Sequence, residues 1–461
     1  MDVFAHDLAA LSAAFEVGSL TAREVAESYI ARIEAHDDQL HAFITRTFDA
    51  AMDEAAQSDE RRAAGQALGP LDGVPIAVKD NIDVRGLATT AGMETRRDAV
   101  ADQDAPVAAA LRAAGAVLLG KLNMDSAALS ATGDNSQFGC VDNPHKADHT
   151  PGGSSSGSAA AAAAGLCAGA LGTDTLGSVR LPAAYCGITG HKPTHGLVSI
   201  RGVVPVAPCF DQVGPMARGV RGVGSLLDAM AVFDPLCAES RDAPAIATYD
   251  PGPAPDVSGL AVGRLANIDG IEFEAPVRAA FERAVDGLKD LGCTVRDASL
   301  GDYDLGRGRL AGLMIAVANG AAFHAGDLAE RPEQLSDGLR KALEFGRDAG
   351  VGRMIWAERM VADLMVRLRG AFEGLDALVL PTTLEAAFTF DQGAPDAQAD
   401  FTAIASMAGL PAVTVPMGVT GDGLPLGLQL IGRAFADAEV LRLARAFERA
   451  AGLDLRPARF P

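Results

Sequence analysis

Between Pro151 and Ser178 the chain reads PGGSSSGSAAAAAAGLCAGALGTDTLGS, and this segment narrows the fold more than any other. Alanine is the strongest helix former, so the run after Ser158 predicts a helix. Three adjacent serines, Ser154, Ser155 and Ser156, then fall with Gly157 at or just before that helix's N-terminus, in a glycine-rich bend. A second glycine-flanked serine, Ser178, closes the segment. Upstream, the apolar strand-like run Val74–Val78 ends on Lys79. A lysine and two glycine-hinged serines can build an acyl-transfer site with no histidine base.

Helix and strand patterns alternate on either side. Thr21 and Glu24 form a capping box before a helix predicted over 22–36, and a second helix is predicted over 48–64. A helix over 106–114 precedes a strand over 116–121. Further on, strands are predicted over 260–265, 293–298, 376–381, 412–417 and 426–432. Helices are predicted over 275–291 and from Asp437, read as a cap, to 451. This alternation points to αβ units around a mixed or parallel sheet. The Pro/Gly/Ala-rich stretch from Tyr249 to Gly259 is the best internal linker candidate.

Charge and cysteine usage exclude several classes. The chain has 461 residues and a formal net charge of −21. A phosphate-binding surface needs clustered Lys and Arg, so direct nucleic-acid binding is not expected. The N-terminus, MDVFAHDL, has neither a basic nor an apolar leader region, and Ala159–Ala164 is too short and small-chained to span a bilayer. No membrane association is expected, and the cytoplasm is the default location. The six cysteines are spread singly and read as reduced core thiols. His191 and His195 have i, i+4 spacing, but Pro193 lies between them and no HExxH accompanies them, so no metal and no cofactor are expected.

A serine hydroxyl is a weak nucleophile until a base takes its proton. Lys79 serves as that base only when neutral, which requires burial. VPIAV would carry it into an apolar interior, and alternation along a strand lets Asp80 face the other way. The plainer alternative is a lysine snorkelling at a strand end. The GGSSSGS loop lacks the GK[ST] ending of a P-loop and the GxGxxG spacing of a dinucleotide fold, and neither serine sits in a GxSxG elbow. GTDTLGS offers backbone N–H groups beside Ser178, as an oxyanion hole would.

Taken together, GPLDGVPIAVKDNID, TPGGSSSGSAAAAAAG and GTDTLGSVRLPAAYCGITGHKPTHGLVS resemble the amidase signature family. GKLNMD…DNSQFG, FDQVGPMARGV, LPTTLEAAF and MAGLPAVTVPMG…GLPLGLQLIGRAF extend the resemblance over nearly the whole chain. It implies an α/β fold, a single large α/β/α domain with a central mixed β-sheet. That domain would span 1–461, with a core over about 70–220 and N-terminal helices over 1–66. It implies that Ser178 is the acylated nucleophile. Ser154, following a cis peptide bond, would bridge Ser178 to the base Lys79. Thr175, Leu176, Gly177 and Ser178 would supply the oxyanion donors. Ser155, Asp174 and Arg180 would support the loops. Met124, the segment around Tyr303–Phe323 and the loop after Leu380 are candidate pocket walls.

Ser156 and Leu176 stand where the family pattern has glycine. Leu176 either narrows the acyl pocket or points away from it. The function implied is hydrolysis of a carboxylic amide C–N bond through a Ser178 acyl-enzyme, with a small-molecule amide as substrate. The related alternative is the glutaminase component of a glutamyl-tRNA(Gln) amidotransferase complex, and a different class is a non-enzymatic scaffold. The assembly stays open, a homodimer included.

Overall fold

The computed structural model describes residues 3–244 and 246–460. Its strands are β1 (Phe43–Arg46), β2 (Pro75–Lys79), β3 (Val117–Leu122), β4 (Gly169–Asp174), β5 (Thr189–Lys192), β6 (Gln212–Ala217), β7 (Ala261–Leu265), β8 (Thr294–Ala298), β9 (Ala377–Pro381), β10 (Ala412–Val419) and β11 (Pro425–Gly432). They form one sheet in the order β1-β3-β2-β4-β6-β5-β10-β11-β9-β7-β8. The expected mixed α/β architecture is present. β3, β2 and β4 run parallel, as do β9, β7 and β8, while the other pairings are antiparallel. β2, β9 and β11 are buried along their whole length, as strands covered on both faces must be. β8, TVRDA, lies at the sheet's edge and is largely exposed and partly charged, which discourages further pairing.

The alanine helix runs from Ser156 to Ala163 and is buried on every side. Its first turn passes so close to the chain that a Cβ on Gly157 would lie 2.5 Å from the Ala42 carbonyl oxygen. The predicted capping box is formed, with the Thr21 N–H donating to Glu24 at 3.0 Å and the Glu24 N–H donating to Thr21 at 3.2 Å. That helix continues to Leu40 because its buried side, Arg32, Ile33, Asp37 and Leu40, continues.

Several expectations change. Asp437 does not cap its helix. It is the first helical residue, after Ala436, and its carboxylate accepts from His191 Nε2 (3.0 Å) and the Thr194 N–H (2.9 Å). His191 lies on β5, so the i, i+4 spacing to His195 has no helical meaning. Cys140 and Cys209 are exposed thiols, and the other four cysteines are buried. The linker candidate is packed down: Tyr249 and Val257 are buried, and the Tyr249 N–H donates to Asp228 at 2.6 Å. Three further helices, Leu305–Phe323, Asp337–Arg347 and Gly350–Ala371, lie outside the predicted elements. Among the described residues, no helix is long and apolar enough to cross a membrane.

Candidate active site

Two neighbouring parallel strands end at the same place. β2 ends on Lys79, and β4 ends on Thr173 and Asp174. Ligands in open α/β sheets gather beyond such carboxyl ends. The serine bend sits there because the helix it opens returns the chain to β4.

Lys79 is wholly buried and donates to Ser154 Oγ at 2.8 Å and to Thr173 Oγ1 at 2.8 Å. No carboxylate touches it. Burial pulls its pKa down to about 7, against the opposing pull of Asp125, Asp174 and Asp211. The neighbouring Asp80 faces the other way, in a buried ion pair with Lys121 at 3.0 Å. The snorkelling alternative is therefore removed: the ammonium end is the most enclosed part of the strand.

Ser154 follows a cis peptide bond from Gly153 and is wholly buried. Ser155 ties the bend to β4. Its hydroxyl donates to the Thr173 carbonyl (3.2 Å) and accepts from the Thr173 N–H (3.1 Å), and its own N–H donates to the Ser178 carbonyl (3.2 Å). Ser178 itself is half-buried, the one serine of the set that solvent reaches. Ser156, in the family's glycine position, is buried, and its hydroxyl has no partner among the described residues.

Asp174 and Arg180 shape the turn that carries Ser178. Both are wholly buried, paired at 2.9 and 3.0 Å. Burial pushes the Asp174 carboxyl up, and the adjacent Arg180 guanidinium overcomes this, holding it below the usual range. The same carboxylate accepts the N–H groups on both sides of the nucleophile, from Gly177 at 2.7 Å and Val179 at 3.2 Å. Arg180 also reaches Gln429, Ser406 and the Thr402 carbonyl, locking the turn to β11 and to the helix Thr402–Met407.

This arrangement corrects two expectations. The Gly177 N–H is held by Asp174, so it is not a free oxyanion donor. The N–H groups of Thr175, Leu176 and Ser178 make no hydrogen bond among the described residues. Met124 is not a wall that solvent touches. It is wholly buried in a small apolar cluster with Met93, Leu339 and Leu343. The orientation of Leu176 is also decided. It is 8 % exposed, its carbonyl accepts from Thr402 Oγ1, and its side chain lies where a Cβ on Gly312 would come within 2.9 Å of it. Helix Leu305–Phe323 thus packs on the nucleophile turn through Leu176, rather than leaving that side chain in an open acyl pocket.

Sequence reasoning passes over three residues here. Thr173 accepts from Lys79, and Asn81 donates to Thr173 at 3.1 Å. Asp211, buried, accepts from Thr175 Oγ1 (2.6 Å) and from the Val206 and Ala207 N–H groups, pinning the oxyanion side of the turn. Their signals are KDN, GTD and FDQ, polar residues directly beside motifs already noted. A second buried lysine, Lys192 on β5, is likewise pulled down to about 7 by burial and by Arg180. It donates to the Pro193 carbonyl and to Gln212, not to a serine. No group of His, Cys, Asp and Glu suited to a metal occurs among the described residues.

Comparison with known proteins places this arrangement in context. The Amidase family model matches residues 24–441. The glutamyl-tRNA(Gln) amidotransferase component GatA of Symbiobacterium thermophilum is 40 % identical, over 96 % of each chain. A structure described as a vestigial protein complex revealing the evolutionary origins of an s-triazine catabolic enzyme superposes with a TM-score of 0.91 at 33 % identity, covering 98 % of this chain and 100 % of that one. The peptide amidase of Stenotrophomonas maltophilia superposes with a TM-score of 0.83 at 31 % identity, over 98 % of each chain.

Proposed function

This chain belongs to the amidase family, and from that premise we propose that it cleaves a carboxylic amide through a Ser178 acyl-enzyme, with Ser154 and Lys79 as proton relay and base. The observation that carries the reading is the 2.8 Å contact between Ser154 Oγ and a buried lysine that has only hydroxyl partners. Neutral Lys79 draws the proton of Ser154, which draws that of Ser178, whose oxygen attacks the amide carbon. The oxyanion is met by the N–H groups of Thr175, Leu176 and Ser178, which need no reorganisation to receive it. Lys79, now protonated, returns its proton through Ser154 to the leaving nitrogen. The C–N bond breaks, ammonia or an amine departs, and water releases the acyl group by the same relay.

Two readings of the substrate stand. The curated relatives favour glutamine as ammonia source within an amidotransferase, since components of that kind share up to 40 % identity over almost the full chain. A component of this type would work with partner proteins, and its acidic surface would leave any RNA contact to them. The similarity to a peptide amidase supports a self-contained hydrolase acting on other amides. Purified protein is to be assayed for ammonia release from glutamine, with and without partner proteins, and from a panel of primary amides, anilides and carbamates. Ser178→Ala should abolish every activity found, since removing such a nucleophile costs orders of magnitude. Full turnover by that variant would overturn the acyl-enzyme. Activity on glutamine that rises only with partners favours the first reading.

A further inference from the structure

An amine that serves as a base must aim its lone pair at the donor, which requires its N–H bonds to be engaged elsewhere. At Lys79 that second engagement is the hydroxyl of Thr173, at the same 2.8 Å as Ser154. Thr173 is itself held. Ser155 bonds both its backbone groups, and Asn81 Nδ2 donates to its hydroxyl oxygen at 3.1 Å. Asn81 is 2 % exposed, and its orientation is set by a second contact to the Val204 carbonyl, whose residue returns an N–H to the Asn81 carbonyl at 2.8 Å. Burying two polar side chains beside a lysine costs free energy unless their bonds matter to it.

We propose that Thr173 and Asn81 are positioning residues that orient the Lys79 amine toward Ser154 and set the pH at which it works as a base. The inference rests on the reading of Lys79 as the base. Charged groups that face Lys79 are Asp125 from the loop after β3, Asp174 at the end of β4 and Asp211 before β6, while Asp80 on its own strand turns to Lys121. Asp125, Asp174 and Asp211 each spend their oxygens on other donors. Thr173 is therefore the neutral group left to tune the amine at contact distance. A hydroxyl acceptor favours the ammonium over the amine, so its removal lowers the pKa of Lys79 and releases its orientation together.

The test needs no known substrate. The rate at which a fluorophosphonate labels Ser178 is measured from pH 5 to 10. In the wild type it is expected to rise with pH. In Thr173→Val, close in shape, the rising limb should move to lower pH by about 1 unit while the plateau falls. Thr173→Ser should restore both. Asn81→Leu should lower the plateau in the wild-type background and add nothing to Thr173→Val, since it acts through the same hydroxyl. A limb that stays in place in Thr173→Val, or losses from the two variants that simply add, would overturn the inference. Absence of a rising limb in the wild type, or of labelling at Ser178, would instead overturn the reading of the base itself.

Discussion

At the scale of single residues, the site is a contest between burial and charge, decided at Lys79. Taking the ammonium wholly out of water disfavours its charged form, and the three carboxylates that oppose this stand outside contact. With its pKa near 7, the neutral fraction grows as pH rises through neutrality. Turnover is therefore expected to climb between about pH 6 and 8 and then level, on a general-base profile. Lys79→Ala should remove both the climb and nearly all activity. Ser154→Ala should be severe but less complete, because water can carry the proton across the gap it leaves. A flat profile from pH 6 to 10 in the wild type would contradict a lysine base.

At the scale of elements, the nucleophile turn is held from three directions: by Ser155 of the alanine helix, by Arg180 reaching β11, and by helix Leu305–Phe323 through Leu176. The last contact changes what the leucine at 176 is expected to do. Its side chain fills space against Gly312 and Met407, so Leu176→Ala should leave a cavity costing roughly 2–4 kcal/mol. Thermal denaturation should show the loss, and small and large acyl substrates should lose turnover alike. A variant that keeps its stability and gains only on bulky acyl groups would show that the side chain bounds the pocket instead. The strands with continuous apolar runs, β2, β3, β9, β10 and β11, are legible from composition alone. β4, reading GALGTD, and β5, reading TGHK, are not, because glycine and polar residues carry no periodic signal. Their strand conformation comes from pairing with neighbours.

For the whole molecule, the buried lysine is a stability cost accepted for chemistry. The sign follows from linkage: above pH 10.5 the amine is neutral folded and unfolded, and the cost is absent. As pH falls from 10.5 to about 7 only the unfolded chain takes up the proton, so stability is progressively lost. Below about 7 the loss is complete. Lys79→Met should therefore melt at a higher temperature than the wild type at pH 7, with an advantage of order a few kcal/mol that fades toward pH 10.5, and it should be inactive. Equal melting temperatures at pH 7 would mean that the lysine is charged and satisfied. By itself, the sequence determined the residue types of the relay, their order along the chain and the helix that follows the serine bend, because glycine, alanine and serine act on the backbone locally. Only the tertiary structure decided which N–H groups near Ser178 stay free, where Leu176 points, and that Thr173, Asn81 and Asp211 belong to the site. Those depend on strands and loops far apart in sequence meeting at one end of a sheet, a meeting governed by burial and pairing rather than by any local pattern.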